Sequence, residues 1–472
     1  MATAEDISLA RYHSASDFIN GLIQGPPSPP PDATPEEIRA RAIARLDRLR
    51  RFLAFLSNPQ SRFRSIHVGG TCGKGSTSAY IASILTSAGY RTGLHVSPYI
   101  QVETEKLQIN RRLMSTDRFA QHVADLATEV ERWNAQGGEP VTYGEFWVAL
   151  TFFALAREEV DFGVIEVGAG GRFDLTNVLE PDIAVITSVG IDHVRTLGHT
   201  IPEIAWHKAG IIKPGRIAVT TVDDLAALEV IEREANEQDA RLVKISEGRD
   251  FRLARTGVSG TCLLDPASER LFHFPLAGAF QATNAAAAIG AVRALDLPGG
   301  PIPDEVIADG LAVTRFPGRM EIVQRDPQVV LDGAHSPEKM VSLMASIPFL
   351  GEPERRILVL GALSGHDYRT MAEIAARHTH MVIVTAPRAV ERSSAPVEEI
   401  AHAIQSAERP VTIMREPEEA MDLALQRAGY GDQIVVTGSL YLVGAVRERW
   451  YRSNDIVRAG TCWPGDGTMK EV

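Results

Sequence analysis

At 472 residues the chain is too long for one typical core, and its 44% hydrophobic and 23% charged composition is that of an ordinary globular protein with no apolar run long enough to cross a membrane. A net charge of −12 argues against broad nucleic-acid binding, although a local cationic pocket can still collect anionic substrates. Cys72, Cys262 and Cys462 are far apart and match no metal spacing, and the N-terminus lacks a signal peptide's basic and apolar regions; together these imply a reducing cytoplasm and exclude a disulfide framework.

Residues 24–33, Gln-Gly-Pro-Pro-Ser-Pro-Pro-Pro-Asp-Ala, read as a stiff linker. A helix start follows, with Thr34 as cap, Pro35 at the first helical position and Glu37 completing a capping box. Ile38, Ala42, Leu46, Leu49, Leu53 and Leu56 then recur at helical spacing. Strands are expected at Ile66–Val68, Thr92–Val96, Val164–Val167, Ile183–Thr187 and Ile217–Thr220, alternating with helices, which is the pattern of a mostly parallel α/β sheet. Residues 240–275 carry short alternating runs that suggest a small antiparallel piece, and an alanine-rich helix spans Asn284 to Leu295. Past a junction at Arg315–Arg319, a hinge candidate, the alternation resumes with Val329–Leu331, Ile357–Leu360, Met381–Thr385, Val411–Met414 and Ile434–Thr437, a second doubly wound unit. The expected domains are 1–314 and 315–452, with 453–472 a loose tail.

Residues 68–76 read Val-Gly-Gly-Thr-Cys-Gly-Lys-Gly-Ser between a strand and a helix. Such a turn aims backbone N–H groups and the positive end of the helix dipole at one spot, where a phosphate fits, and Lys74 adds a mobile charge. The spacing departs from the standard phosphate loop: Gly69 leaves three residues before the Gly-Lys pair instead of four, and Gly75 separates Lys74 from Ser76. Elsewhere Glu166 interrupts an apolar strand, where burial without a partner is costly, so a metal ion is a better explanation than a core ion pair. His193 and Lys208 taken alone read as structural or surface groups.

Further segments occur in a fixed order: Thr142-Tyr-Gly-Glu-Phe, Val164-Ile-Glu-Val-Gly-Ala-Gly-Gly-Arg-Phe-Asp-Leu-Thr-Asn177, Gly190-Ile-Asp-His193, His207-Lys-Ala-Gly-Ile-Ile-Lys-Pro-Gly215, Gln281-Ala-Thr-Asn284, Pro317-Gly-Arg-Met-Glu321, Asp332-Gly-Ala-His-Ser-Pro337 and Thr437-Gly-Ser-Leu-Tyr441. In this order the chain, from about residue 40 to 450, resembles the folylpolyglutamate synthase/dihydrofolate synthase branch of the Mur ligase superfamily. The resemblance implies a phosphate-loop Mur-ligase-type domain with a parallel sheet, followed by a Rossmann-like doubly wound domain. It also implies an ATP-dependent amide ligase, acting as a monomer, that phosphorylates a folate-type carboxylate and joins it to L-glutamate. The acceptor is dihydropteroate, a reduced folate, or both.

Residue by residue, the resemblance assigns Gly70, Thr71, Gly73, Lys74, Gly75, Ser76, Asn284 and Arg319 to ATP, and Asp332 to the ribose or the interdomain linker. Ser97, Glu166 and His193 surround Mg2+, which prefers hard oxygen ligands. Lys208 is carbamylated in related ligases and would hold a second Mg2+; Lys74, His193 and Lys208 are the catalytic candidates. His335 and Ser439 are assigned to glutamate, and Tyr99 and Phe173 are candidates to stack on a pterin. The sequence departs from the family pattern at Cys72 (asparagine), Tyr99 (histidine), Lys106 (arginine), His207 (glutamate), Phe280 (histidine) and His366 (lysine). A ligase for a different carboxylate, or a non-catalytic nucleotide-binding paralogue, remain the competing readings.

Overall fold

The computed structural model describes residues 4–23, 33–389 and 392–465. Nearly all of the expected linker at 24–33 lies outside these residues, as does the end of the tail, 466–472. Among the described residues the first sheet has eight strands: β1 (Arg64–Gly69), β2 (Thr92–His95), β3 (Leu107–Ile109), β4 (Arg112–Leu113), β5 (Phe162–Glu166), β6 (Ile183–Ile186), β7 (Ile217–Thr220) and β8 (Arg241–Lys244), in the order β4-β3-β2-β5-β1-β6-β7-β8. All pairings are parallel except β2–β3 and β3–β4. The sheet is parallel because helices cover both faces, and β1, β5 and β6 are accordingly near-continuous apolar runs.

One face packs against the helices Lys74–Ser87, Phe280–Ala294 and Asp304–Ala312. Gly310 permits the closest of these approaches, since a Cβ there would lie 2.5 Å from the Ile84 backbone. The other face packs against the helices Ala4–Gly21, Pro35–Phe55, Thr116–Ala135 and Tyr143–Arg157. Thr34 and Glu37 form the expected capping box. Part of the segment expected to be a small antiparallel piece is instead β8, which joins the main sheet in parallel. The antiparallel piece is the three-stranded sheet of β9 (Arg252–Gly257), β10 (Gly260–Asp265) and β11 (Arg270–Phe274).

The second sheet, among the described residues, comprises β12 (Glu321–Arg325), β13 (Gln328–Leu331), β14 (Arg356–Leu360), β15 (Met381–Val384), β16 (Val411–Ile413) and β17 (Gln433–Thr437). Its order is β12-β13-β17-β14-β15-β16, parallel except for the edge hairpin β12–β13.

The segment expected to be a loose tail is packed. Ser453–Ala459 is a helix, and Ile456, Val457, Cys462 and Trp463 are buried in the core of the first sheet's outer helices. Four apolar side chains in eight residues outweigh the Gly-rich, charged surroundings that suggested disorder. The chain thus leaves the second sheet and returns to the first unit, where Leu113 N donates to Gly460 O.

Candidate functional site

The carboxyl ends of β1, β2, β5 and β6 are neighbours at the middle of the first sheet, where open α/β sheets bind ligands. From β1 the chain turns through Gly70–Gly73 into the helix Lys74–Ser87, with Gly73 at the cap position in the left-handed region (φ +83°). Two glycines are sterically required: a Cβ on Gly70 would fall 2.0 Å from Thr187 Oγ1, and one on Gly73 2.1 Å from Asn284 Oδ1. The residues after β6 lash the loop in place. Thr71 N donates to Ser188 O, Cys72 N to Ser188 Oγ (2.8 Å), and Thr187 Oγ1 to Cys72 O. Lys74 Nζ donates back to Gly70 O (3.0 Å), holding the ammonium over the turn. Gln281 Nε2 reaches Ser76 Oγ, and Asn284 Nδ2 donates to Gln281 Oε1, so the alanine-rich helix props the loop from behind.

Beside the loop, Glu166 ends β5 almost fully buried and accepts from Ser97 N (2.9 Å). Burial pushes its carboxyl above the usual range, offset in part by Lys74, the Ser97 N–H, Arg319 and Lys339. A hard cation between this carboxylate and a triphosphate would remove that penalty. Glu166 and Ser97 Oγ therefore fit Mg2+, and His193, half-exposed after β6, stands at the rim. Among the described residues no three His, Cys, Asp or Glu side chains are gathered as a metal cage, so phosphate and water oxygens must complete any coordination. His193 adopts φ +48° and lies near Asp192. Burial works against ionisation of Asp192, but His193, Lys339, Lys74 and Lys208 outweigh it and hold the carboxyl below its usual range.

Lys208 is 1% exposed. Burial first, and Lys74 next, bring its ammonium down to about 7, so a neutral amine is available near neutral pH. Phe173 packs edge-on against His207 (5.6 Å) and tilted against Trp206 (5.9 Å), and the Arg39 and Arg172 guanidiniums both lie over the Trp206 ring. Tyr99 is half-buried, with Glu103, Tyr143, Tyr441 and Glu105 acting on its hydroxyl. The structure does not bring these two rings together as one stack.

From the second unit, Arg319 sends its charge onto both Glu166 and Asp332, while the neighbouring Glu321 is taken by Arg447. Asp332 is spent on the linker: Oδ2 accepts from Met320 N and Oδ1 from Ala334 N, both at 2.9 Å. Ser439 Oγ caps the helix Leu440–Arg447 by accepting from Tyr441 N, so the expected glutamate contact falls on a side chain with a structural task. His335 Nδ1 lies 2.7 Å from Gly333 O, and its Nε2 2.9 Å from Lys339 Nζ. Phe316 seals the loop, since a Cβ on Gly75 would meet its ring at 2.8 Å. Sequence reasoning missed Lys339, Asp192, Thr187, Ser188 and Phe316.

A phosphate loop on a parallel sheet, facing a Rossmann-like unit across a cation-lined cleft, defines the Mur ligase class. Residues 68–292 match the Mur ligase middle domain, and residues 318–440 the Mur ligase glutamate ligase domain. The chain is 34% identical to the dihydrofolate synthase/folylpolyglutamate synthase of Bacillus subtilis over 86% of its length and 94% of the relative. It is 33% identical to the folylpolyglutamate synthase of Lacticaseibacillus casei, over 85% and 93% respectively. Mycobacterium tuberculosis folylpolyglutamate synthase, solved with ADP and AMPPCP, superposes with a TM-score of 0.80 at 26% identity, covering 94% of this chain and 99% of the other. The chain belongs to the folylpolyglutamate synthase/dihydrofolate synthase family. No helix among the described residues is long and apolar enough to cross a membrane.

Proposed function

We propose that the protein is a cytoplasmic, monomeric ATP-dependent ligase that joins L-glutamate to a folate-type carboxylate. The observation that carries this reading is the pairing of Lys74, folded over the glycine turn, with the buried Glu166 at the neighbouring strand end. An acceptor carboxylate oxygen attacks the γ-phosphorus of ATP, the bond to ADP breaks, and an acyl phosphate forms. The glutamate amine then attacks the acyl carbon, loses a proton, and phosphate leaves as the amide closes. Phosphoryl transfer of this kind is mainly positioning and charge neutralisation.

The glycine turn and helix start bind the phosphates through backbone N–H groups, Lys74 and Arg319 add positive charge, and Asn284 supports the nucleotide side. Ser97, Glu166 and His193 would hold Mg2+, which supplies charge neutralisation between the phosphates. Lys208, buried and with its ammonium brought down to about 7, would add CO2 at its neutral amine and release a proton, and the carbamate so formed would offer a carboxylate-like pair of oxygens to a second Mg2+.

The test is ADP release with ATP, Mg2+ and glutamate, offering dihydropteroate and a reduced monoglutamyl folate separately. Turnover with the first alone makes the protein a dihydrofolate synthase, with the second alone a polyglutamate synthase, and with both bifunctional. Silence with both, while ATP still binds, moves the reading to another carboxylate, with Tyr99 and Phe280 as the places to look.

A further inference from the structure

Lys339 lies in the first turn of the helix Pro337–Ser346, on the second unit's side of the cleft. Its ammonium donates to His335 Nε2 (2.9 Å), while His335 Nδ1–H donates to Gly333 O. That arrangement fixes the ring neutral, because both of its nitrogens are already committed. The His335 ring in turn meets His366 edge-on at 5.4 Å. Position 366 is where the family pattern carries a lysine, and Lys339 stands one histidine pair away from it.

Among the described residues no carboxylate lies within ion-pair distance of Lys339. Its charge instead acts on Cys72 of the phosphate loop, on Asp192, and on Lys74 and Arg319. The neighbouring Glu338 pins the helix to the first unit by accepting from Ile191 N (2.9 Å), so the amine is delivered to the loop at a fixed height. Burial and the neighbouring Lys74 and Arg319 work against this ammonium while Asp192 favours it, and an anionic phosphoryl group on the loop would relieve the crowding of the three cations.

We propose that Lys339 contacts the terminal phosphoryl group, first of ATP and then of the acyl phosphate made from it. This rests on the ligase reading above, but its test needs neither acceptor nor turnover. ADP lacks the terminal phosphoryl group and a non-hydrolysable ATP analogue retains it, so their affinities with Mg2+ are compared by titration calorimetry. Lys339→Gln should weaken the analogue by roughly tenfold or more while ADP changes by less than about twofold, the scale of one charge-assisted hydrogen bond. Lys339→Arg should recover most of the loss. The double variant Lys339→Gln/His366→Lys should recover it as well, which a packing role for Lys339 does not predict. Thermal melts establish that each variant is folded, and Lys339→Arg carries the comparison if the glutamine variant is not. Equal weakening of both nucleotides, or no change in either, overturns the proposal.

Discussion

Arg447 grips Glu321 with two prongs, Nε to Oε2 and Nη2 to Oε1, both at 2.9 Å, and is itself completely buried. The same guanidinium donates to Gln101 Oε1 and to Cys462 O, while Trp463 Nε1 donates to Glu321 Oε1 (2.7 Å). One arginine therefore ties together the start of the second sheet, the segment after the Ser97–Pro98 turn, and the returning C-terminal strap. Arg315, in the expected hinge, lies over the Trp463 ring at 4.1 Å. The strap thus braces the junction about which the two units would close.

Removing Arg447 alone leaves the half-buried Glu321 carboxylate without its cation, held only by the Gly318 and Trp463 N–H donors. Arg447→Ala should destabilise the protein by about 3–5 kcal/mol in urea unfolding, whereas Arg447→Met/Glu321→Leu, which removes both charges, should recover most of it. Truncation after Arg452 should lower the melting temperature by several degrees through loss of the four buried strap residues. Unaltered melting of the truncated chain would return the segment to the status of a loose tail.

The parallel strands were legible because they are buried on both faces and leave unbroken Val/Ile runs, such as Ile183–Ile186. The edge strands β4 and β12 and the short β3 beside β4 were not, because pairing with a neighbour rather than local preference makes them strands. The helix Ala4–Gly21 was missed although its buried residues Leu9, Tyr12, Ala15 and Ile19 recur at helical spacing, because polar residues fill the positions between them. In the site, Lys74 and Glu166 stood out because chemistry-bearing residues at strand ends break a local pattern. Asp332 and Ser439 carry the same sequence signal; Asp332 makes the linker contacts that were one of its two expected roles, and Ser439 caps a helix while its hydroxyl proton stays available. Lys339 carried no signal of its own, since only the facing of two sheets brings it to the loop.

Gly73 and Gly137 share φ +83°, but only Gly73 meets a neighbour, Asn284 Oδ1, where a Cβ would stand; around Gly137 nothing lies within 4 Å. Alanine at either position should cost about 1–3 kcal/mol in backbone strain. Gly73→Ala should also displace Asn284 and raise the KM for ATP by roughly tenfold or more, a scale set by losing about one strong contact. Equal KM values in the two variants would show that strain alone governs the loop.

His67, fully buried in β1, donates from Nε2 to Thr176 Oγ1 (2.8 Å), whose own proton goes to Asp174; its Nδ1 has no partner among the described residues. Burial, with Lys213 and His95, lowers its folded pKa to about 3. Between that value and the unfolded value near 6.5 the unfolded chain binds the extra proton, so stability should rise with pH through this window and be lost as pH falls. His67→Gln should flatten the pH dependence of the urea midpoint between pH 6.5 and 4. An unchanged slope would assign the acid sensitivity to other groups.

Lys208 lies in the last turn of the helix Ile201–Ala209. Its amine is buried and faces Lys74 and Lys339, a site that disfavours a third ammonium, and only a neutral amine adds CO2. The carbamate would turn a repelled cation into an anion held by those same two lysines. Activity should therefore fall in degassed, bicarbonate-free buffer and return when bicarbonate is added, and native mass spectrometry should find one CO2 per chain. Lys208→Ala should reduce kcat by about 10²-fold or more, as loss of one preorganised charged group does, and acetate or formate should restore part of it. Activity in Lys208→Ala equal to that of the unaltered protein would remove this lysine from the reaction and leave its burial without a catalytic purpose.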